Sequence, residues 1–379
     1  YAFMRSTFSE LRPIPKHLFA SIPPANLRLS GYNLEPIGSG PFKYLSLEKR
    51  RDGFITDYYL ITNKGYVGKK PYLQRLVFKF YSDEDGLIRA FNSGAIDGFG
   101  LANEKSLSKI DVKHQLFEIQ LPRYYAIFFN QYANPALTDK NVRLAMNYAI
   151  NKREIIEKFF DNYAVIAEGP LVPGMTGYTP PANKEDNFSM EKAEAVLESG
   201  GWNKGEDGIR ERLLPATEEQ FKISRRKELP AKLEFKLTVP EIPFLINAAN
   251  FIKEDWAKIG IKLNLIVISP DRIDEEAIKT RNYEMILFGN IFGNNQDLFS
   301  FWHSSERFYP GLNLALYENK SADVLIESIR KNLNPKSRET DLTALQSLIE
   351  ADAPAAFLFS PDYFYVARDW LRGFDDKFI

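Results

Sequence analysis

Leu233-Glu234-Phe235-Lys236-Leu237-Thr238-Val239 and Ile261-Lys262-Leu263-Asn264-Leu265-Ile266-Val267 each place an apolar side chain at every second position. A period of two is that of a strand with one face turned to a core. Between the two runs, Phe244, Ala248, Phe251, Ile252 and Ile259 fall on one face of a helix, and Gly260 supplies the residue that ends it. A strand, a helix of more than a dozen residues and a second strand form a crossover too long for a hairpin. The two strands are therefore expected to lie parallel in one sheet. This unit places the chain in the α/β class.

Working outward, Leu76, Phe78 and Phe80 alternate with charged neighbours and predict a strand over 72–81. Ser82, with Asp85 three residues on, predicts a capped helix carrying Leu87, Ile88 and Phe91, stopped by Gly94. Ile96 to Phe99 reads as a short strand, which gives a second strand–helix–strand order. Tyr125 to Phe129 is an apolar strand followed by a helix from Asn141 to Ala149, with Asn151 and Glu154 capping a restart. Ser189 caps a further helix. Tyr283 to Phe288 is a strand leading into a loop at 289–297; helices over 321–333 and 337–350 precede a last strand, Ala355 to Phe359. Prolines at 13, 15, 23, 24 and 36 keep the first stretch irregular. No Gly/Ser linker interrupts the chain, so two lobes would be joined by strands or short crossings, as at a hinge.

With 379 residues the chain is long enough for two or three domains. Its 44% hydrophobic and 26% charged residues are the balance of a globular protein. Forty-nine Lys and Arg against 50 Asp and Glu leave no basic excess for a nucleic acid. No cysteine is present, which excludes disulfides and thiolate chemistry. The absence of an initiator Met before Tyr1 reads as a boundary inside a longer protein. With 29 Phe and 19 Tyr, some aromatics are expected to serve a binding surface.

Enzyme motifs fail in turn. Gly38-Ser39-Gly40 lacks the spacing of a nucleophile elbow, and no phosphate loop, dinucleotide fingerprint or zinc-protease motif occurs. His17, His114 and His303 are scattered, so no metal site and no cofactor are expected. Asp83-Glu84-Asp85 suits the first turn of a helix better than paired catalytic carboxylates. The basic runs Lys49-Arg50-Arg51 and Arg225-Arg226-Lys227 read as solvated loops. One loop stands apart. Asn290, Phe292, Asn294, Asn295 and Asp297 put polar and aromatic groups just beyond a strand, where open α/β sheets gather ligands. From composition alone an ordinary Asn/Gly turn is an equal reading. Tyr124-Tyr125 before one strand and Phe99-Gly100 after another are similarly ambiguous.

Six segments in order resemble the family 5 extracellular solute-binding proteins, the oligopeptide, dipeptide and nickel receptors of ABC importers. They are Pro15-Lys16-His17; Gly38-Ser39-Gly40-Pro41-Phe42; Gly65-Tyr66 with Lys69-Lys70-Pro71-Tyr72; Asn92-Ser93-Gly94-Ala95-Ile96-Asp97; Asn130; and Val142-Arg143-Leu144-Ala145-Met146-Asn147-Tyr148-Ala149-Ile150-Asn151. The resemblance implies a two-lobed, periplasmic-binding-protein-like α/β fold of class II, incomplete at its N-terminus. It divides the chain into the later part of lobe I (1–121), lobe II (122–354) and a return to lobe I (355–379).

By the same resemblance, the ligand contacts are Phe99, Gly100, Tyr124, Tyr125, Asn290, Phe292, Asn294, Asn295, Asp297 and Phe359. Peptide-binding members pair an aspartate with the peptide's α-ammonium near Asn290 to Asn294; here no acid occurs before Asp297. The implied function is solute capture for a membrane permease, without chemistry. The implied state is a monomer outside the cytoplasm, in the periplasm or on the outer face of the membrane, with a lipid anchor left open. A hydrolase using Asp97 or Asp297 on the same clamp, and a scaffold without ligand, are the alternatives.

Overall fold

The parallel unit read from the sequence is present. With elements numbered along the chain, β11 (Glu234–Pro240) and β12 (Lys262–Ile268) pair in parallel from Glu234 opposite Lys262 to Pro240 opposite Ile268, joined by α6 (Pro243–Lys258). The structure is a computed structural model and describes residues 1–4, 7–8, 11–101, 104–173, 175–178, 187–215, 222–292 and 297–373.

The chain forms two compact units: a larger one of Tyr1–Thr7 and Glu118–Tyr363, and a smaller one of Phe8–Phe117 and 364–373. In the larger unit a six-stranded sheet runs β12-β11-β13-β6-β14-β7, adding β6 (Arg123–Phe129), β7 (Ala164–Ile166), β13 (Met285–Ile291) and β14 (Ala355–Pro361). Both faces are covered. Along β6, Tyr124, Ala126 and Phe128 enter one core and Ile127 and Phe129 enter the other. That explains why β6 reads as a continuous apolar run rather than an alternating one.

On one face lie α3 (Lys140–Tyr148), α4 (Lys152–Phe160), α5 (Met190–Ser199) and α6. On the other lie α8 (Lys320–Lys331) and α9 (Pro335–Asp352). Arg143 of α3 ties that layer to the sheet. Its buried guanidinium donates to the carbonyls of Leu137, Thr138, Asp352 and Ala353 at 2.7–3.0 Å. The predicted caps at Asn151 and Ser189 form, accepting from Glu154 N and Lys192 N, each at 3.1 Å.

The smaller unit holds an antiparallel sheet of β1 (Phe42–Lys49), β2 (Ile55–Thr62) and β3 (Arg75–Lys79), then α2 (Glu84–Asn92). A second sheet follows, of β4 (Gly98–Leu101), β15 (Tyr363–Arg368) and β5 (His114–Ile119). Two sequence expectations change here. β3 and β4 belong to different sheets, so the strand–helix–strand order around α2 is not a crossover unit. The helix is capped by Asp83 rather than Ser82, with Asp83 Oδ1 accepting from Gly86 N at 2.7 Å. An acid at the cap also suits the helix dipole.

The units divide at Glu118 and after Tyr363, where the sequence placed borders at 122 and 355. Residues 355–359 pair with β6, from Ala355 opposite Phe128 to Phe359 opposite Tyr125, and so lie within the larger unit's sheet.

Candidate functional site

β11, β12 and β13 run parallel, and β14 runs with them because both β13 and β14 oppose β6. Four carboxyl ends and the amino end of β6 therefore share one edge of the larger unit's sheet. Open α/β sheets take ligands beyond that edge, where loops rather than helices or strands meet solvent. Exposed apolar groups collect here: Ile291 at the end of β13 is 65% exposed, and Ile266 and Val267 of β12 are 43% and 46% exposed. Half-buried Tyr125 and Phe244 stand at the same edge, edge-on with ring centroids 5.3 Å apart.

The predicted residues separate according to strand geometry. Tyr124 and Tyr125 are neighbours in an extended strand and point to opposite faces. Tyr124 has no exposure; its hydroxyl accepts from Asn290 Nδ2 at 2.7 Å and Trp302 Nε1 at 3.2 Å, and its ring meets Phe292 and Phe357. Burial raises the Tyr124 phenol well above its ordinary pKa, against the two hydrogen bonds it receives, so it stays protonated. Burial likewise raises Tyr125, with the Arg123 charge opposing.

Asn290 is not in a loop, as the sequence suggested. β13 continues through Ile291 and sets Asn290 directly opposite Tyr124. Gly289 faces Tyr125 across the ladder, and a Cβ there would lie 2.8 Å from Tyr125 Cε1. The glycine is the seat of an aromatic ring rather than a turn residue.

Phe359 is turned inward by an irregularity in β14. A register shift between Phe357 and Phe359 puts Leu358 and Phe359 on the same side. The Phe359 ring is unexposed, 4.7 Å from Phe160 and 5.6 Å from Tyr125. Phe292 is buried with Tyr124. Asp297 is already matched: Oδ2 accepts from Tyr1 Oη at 2.7 Å and pairs with Arg330 at 3.0 Å, while Oδ1 accepts from Phe299 N at 3.1 Å. Asn294 and Asn295 lie outside the described residues.

Phe99 and Gly100 belong to β4 of the smaller unit. Phe99 is buried against Phe91 at 5.2 Å, and Gly100 pairs with Tyr365. Asp97, the other carboxylate of the hydrolase alternative, is exposed there. The structure thus brings Tyr124, Asn290 and Phe292 into one buried cluster and Tyr125 and Phe359 into another. Phe244 was the residue missed. The sequence places it on the buried face of α6, but Pro243-Phe244 follows directly on the end of β11, and that position is the signal that could have found it.

Arg123 fixes this edge. It donates to Pro361 O at 3.3 Å and 3.1 Å and to Asp362 O at 3.3 Å, holding the end of β14 to the start of β6. Among the described residues no group of His, Cys, Asp or Glu could hold a metal ion, and no helix is long and apolar enough to cross a membrane. A cavity of about 210 Å³ lies elsewhere in the larger unit, and none of the predicted residues lines it.

A doubly covered α/β sheet with an apolar rim at its strand ends offers an edge at which a ligand can be held. The chain matches the bacterial extracellular solute-binding proteins, family 5, over residues 4–308, and it belongs to that family. Oligopeptide-binding protein AppA of Bacillus subtilis (strain 168) is 23% identical over 378 residues, covering 98% of this chain and 65% of that relative. The chain therefore spans about two-thirds of that relative's length. The structure of Bacillus subtilis AppA in complex with a nonapeptide aligns at a TM-score of 0.74 and 22% identity, over 96% of this chain and 68% of that one. NikZ from Campylobacter jejuni in complex with Ni(L-His) aligns at 0.73 and 22% identity, over 95% and 68%. At these identities the likeness to the solved structures is one of fold. The family is one of binding proteins.

Proposed function

We propose that this chain is part of the solute receptor of an ABC importer, capturing a peptide or similar small solute outside the cytoplasm and passing it to a membrane permease without altering it. The observation that carries the reading is the apolar, aromatic rim of Tyr125, Phe244 and Ile291 at the strand ends of a sheet of this family. Bacillus subtilis AppA is named for binding oligopeptides, and its structure holds a nonapeptide, which supports a peptide as the solute. Main-chain hydrogen bonds contribute about 0.5–1.5 kcal/mol each, so a handful together with aromatic burial reaches roughly micromolar affinity.

Asp297 is paired with Arg330 and bonded to Tyr1, so it does not offer an unmatched carboxylate to an α-ammonium. This favours a solute recognised along its main chain or by its apolar groups. The same pairing works against Asp297 as a catalytic base. The lobe borders and a ligand-contact role for Tyr125 form part of this proposal. A location in the periplasm or on the outer membrane face, with or without a lipid anchor, belongs to it as well.

The test is calorimetric titration of the protein with peptides of two to nine residues and with a nickel–histidine chelate, followed by mass analysis of the solutes. Binding in the micromolar range, weakened at least tenfold by Tyr125→Ala and by Phe244→Ala, with solutes recovered intact, is expected. No binding across the set, or cleaved products that vanish in Asp97→Asn or Asp297→Asn, overturns the reading.

A further inference from the structure

β14 brings one carboxyl group to the edge at which the other strand ends meet. Asp362 follows directly on Pro361, the last residue of that strand. It lies three residues beyond Phe359, and three extended residues span at most about 11 Å. Phe359 stands opposite Tyr125 in the ladder, with the ring centroids 5.6 Å apart. Ile291 stands opposite Arg123, the first residue of β6. Asp362 is therefore within reach of a short peptide that lies on the rim of Tyr125, Phe244 and Ile291. Its backbone is fixed: the N–H donates to Tyr163 O at 3.1 Å, and the carbonyl accepts from Arg123 Nη2 at 3.3 Å.

The side chain is held differently. Arg123 directs its guanidinium to the carbonyls of Pro361 and Asp362, at 3.1–3.3 Å. Among the described residues the Asp362 carboxylate accepts no hydrogen bond and forms no ion pair. Asp297, by contrast, is matched by Tyr1 and Arg330. Glu241, just beyond β11, is exposed to water. Asp362 is half-buried. Burial raises its carboxyl first and the charge of Glu118 second, against Arg123. Such an acid disfavours the folded state at neutral pH, because the unfolded chain ionises it more readily. A perturbed carboxyl that lowers stability and has no partner inside the protein is characteristic of a binding residue.

We infer that Asp362 accepts a primary ammonium of the solute, a peptide's N-terminus or a lysine side chain, while the rim takes the adjoining apolar part. The inference rests on the solute-receptor reading and adds one charged contact to the main-chain and apolar ones. An ammonium group carries only donors and a positive charge. It supplies charge-assisted hydrogen bonds to a carboxylate that has none, and its charge offsets the repulsion from Glu118. Arg123 keeps its two carbonyls throughout, so no internal ion pair has to break. A solute blocked at its amino group leaves the carboxylate half-desolvated and unmatched, and binds more weakly for that reason.

The probes are peptides of two to nine alanine and phenylalanine residues in three forms: free at the N-terminus, N-acetylated, and N-acetylated with one lysine. Calorimetric titration at neutral pH should show the free or the lysine-bearing form binding about tenfold or more tighter than the acetylated, lysine-free one. Whichever form does so identifies the source of the ammonium. Asp362→Asn should abolish that preference and leave the acetylated form within about twofold, while melting at a higher temperature than the parent protein. Glu241→Gln, which removes an exposed acid of the same edge, should leave the preference intact. The inference is overturned by equal affinity for the three forms or by a preference that survives Asp362→Asn. Equal loss in Glu241→Gln also overturns it, marking a diffuse field rather than a contact. So does an Asp362→Asn variant that melts lower or fails to fold, since the carboxylate is then already matched within the protein. Absence of binding by every form overturns the solute-receptor reading itself, whereas binding without discrimination overturns this inference alone.

Discussion

Replacing Tyr124 with Phe separates a structural tyrosine from a ligand-binding one. The substitution removes one oxygen and keeps the ring that packs on Phe292 and Phe357. Two donors lose their acceptor: Asn290 Nδ2, in a residue 3% exposed, and Trp302 Nε1, in a residue with no exposure. Each buried donor left unmatched costs about 1–3 kcal/mol, and some relaxation is available, so a loss of about 2–4 kcal/mol is expected. Urea denaturation followed by fluorescence reads it as a lower midpoint at unchanged slope. Solute affinity should stay within about twofold, a difference of less than 0.5 kcal/mol. Adding Asn290→Leu removes one of the stranded donors and should restore part of the loss. The reasoning fails if Tyr124→Phe costs less than about 0.5 kcal/mol, or if it weakens solute binding tenfold at full stability. The second outcome would assign the hydroxyl to the ligand.

Gly289→Ala sets a methyl group against the Tyr125 ring and should cost about 1–3 kcal/mol by urea denaturation, with Tyr125→Leu relieving most of it; strictly additive losses would refute the contact. Arg143→Met strands four carbonyls without leaving a buried charge and should cost about 2–4 kcal/mol, while an unchanged midpoint would show that water replaces the guanidinium. Asp362 has its carboxyl raised by burial and by Glu118, against Arg123. The folded state therefore holds this proton at higher pH than the unfolded chain does, and stability falls as pH rises from the ordinary aspartate value of about 3.9 through the raised one. Asp362→Asn should accordingly stabilise the protein at neutral pH and lose that advantage in acid, which parallel melts at the two pH values would check.

What the sequence made legible follows the strength of its periodicity. The alternation at 233–239 and 261–267, with a helix between, left one arrangement open, and β11, α6 and β12 adopt it. β6 was legible by another route, since Tyr125 to Phe129 is too apolar to face water on either side, and the structure covers both. The small sheet β8 (Asn203–Lys204), β9 (Arg210–Pro215) and β10 (Glu228–Lys232) was not read at all. Leu213 on β9 is 59% exposed and Pro230 sits inside β10, so neither strand shows a clear buried face. β2 was missed for a related reason. Every residue from Ile55 to Thr62 is partly exposed, and a strand half open on both faces has no alternation to find.

The site was harder to read than the fold because it depends on which way single residues face, and that is decided across strands rather than along them. Tyr124 and Tyr125 form one motif in the sequence, yet a pleated strand must send them to different faces, and the partners waiting there differ in kind. On one side the Tyr124 hydroxyl finds an amide and an indole that consume its acceptor capacity; on the other, Gly289 leaves a vacancy into which the Tyr125 ring fits. Phe359 shows how small the deciding feature is. Continued alternation from Ala355 and Phe357 would have carried it to the face of Tyr124, but one shift of register in β14 carries it to the face of Phe160 and Tyr125. A bulge leaves no mark in composition, so motif order could locate the strand ends while leaving their facing undetermined. Phe244 and Ile291, named by no motif, meet solvent at that edge because β11 and β13 end there. On the function proposed above, recognition is placed by strand length and pairing, and the side chains that serve it are those the two cores leave uncovered.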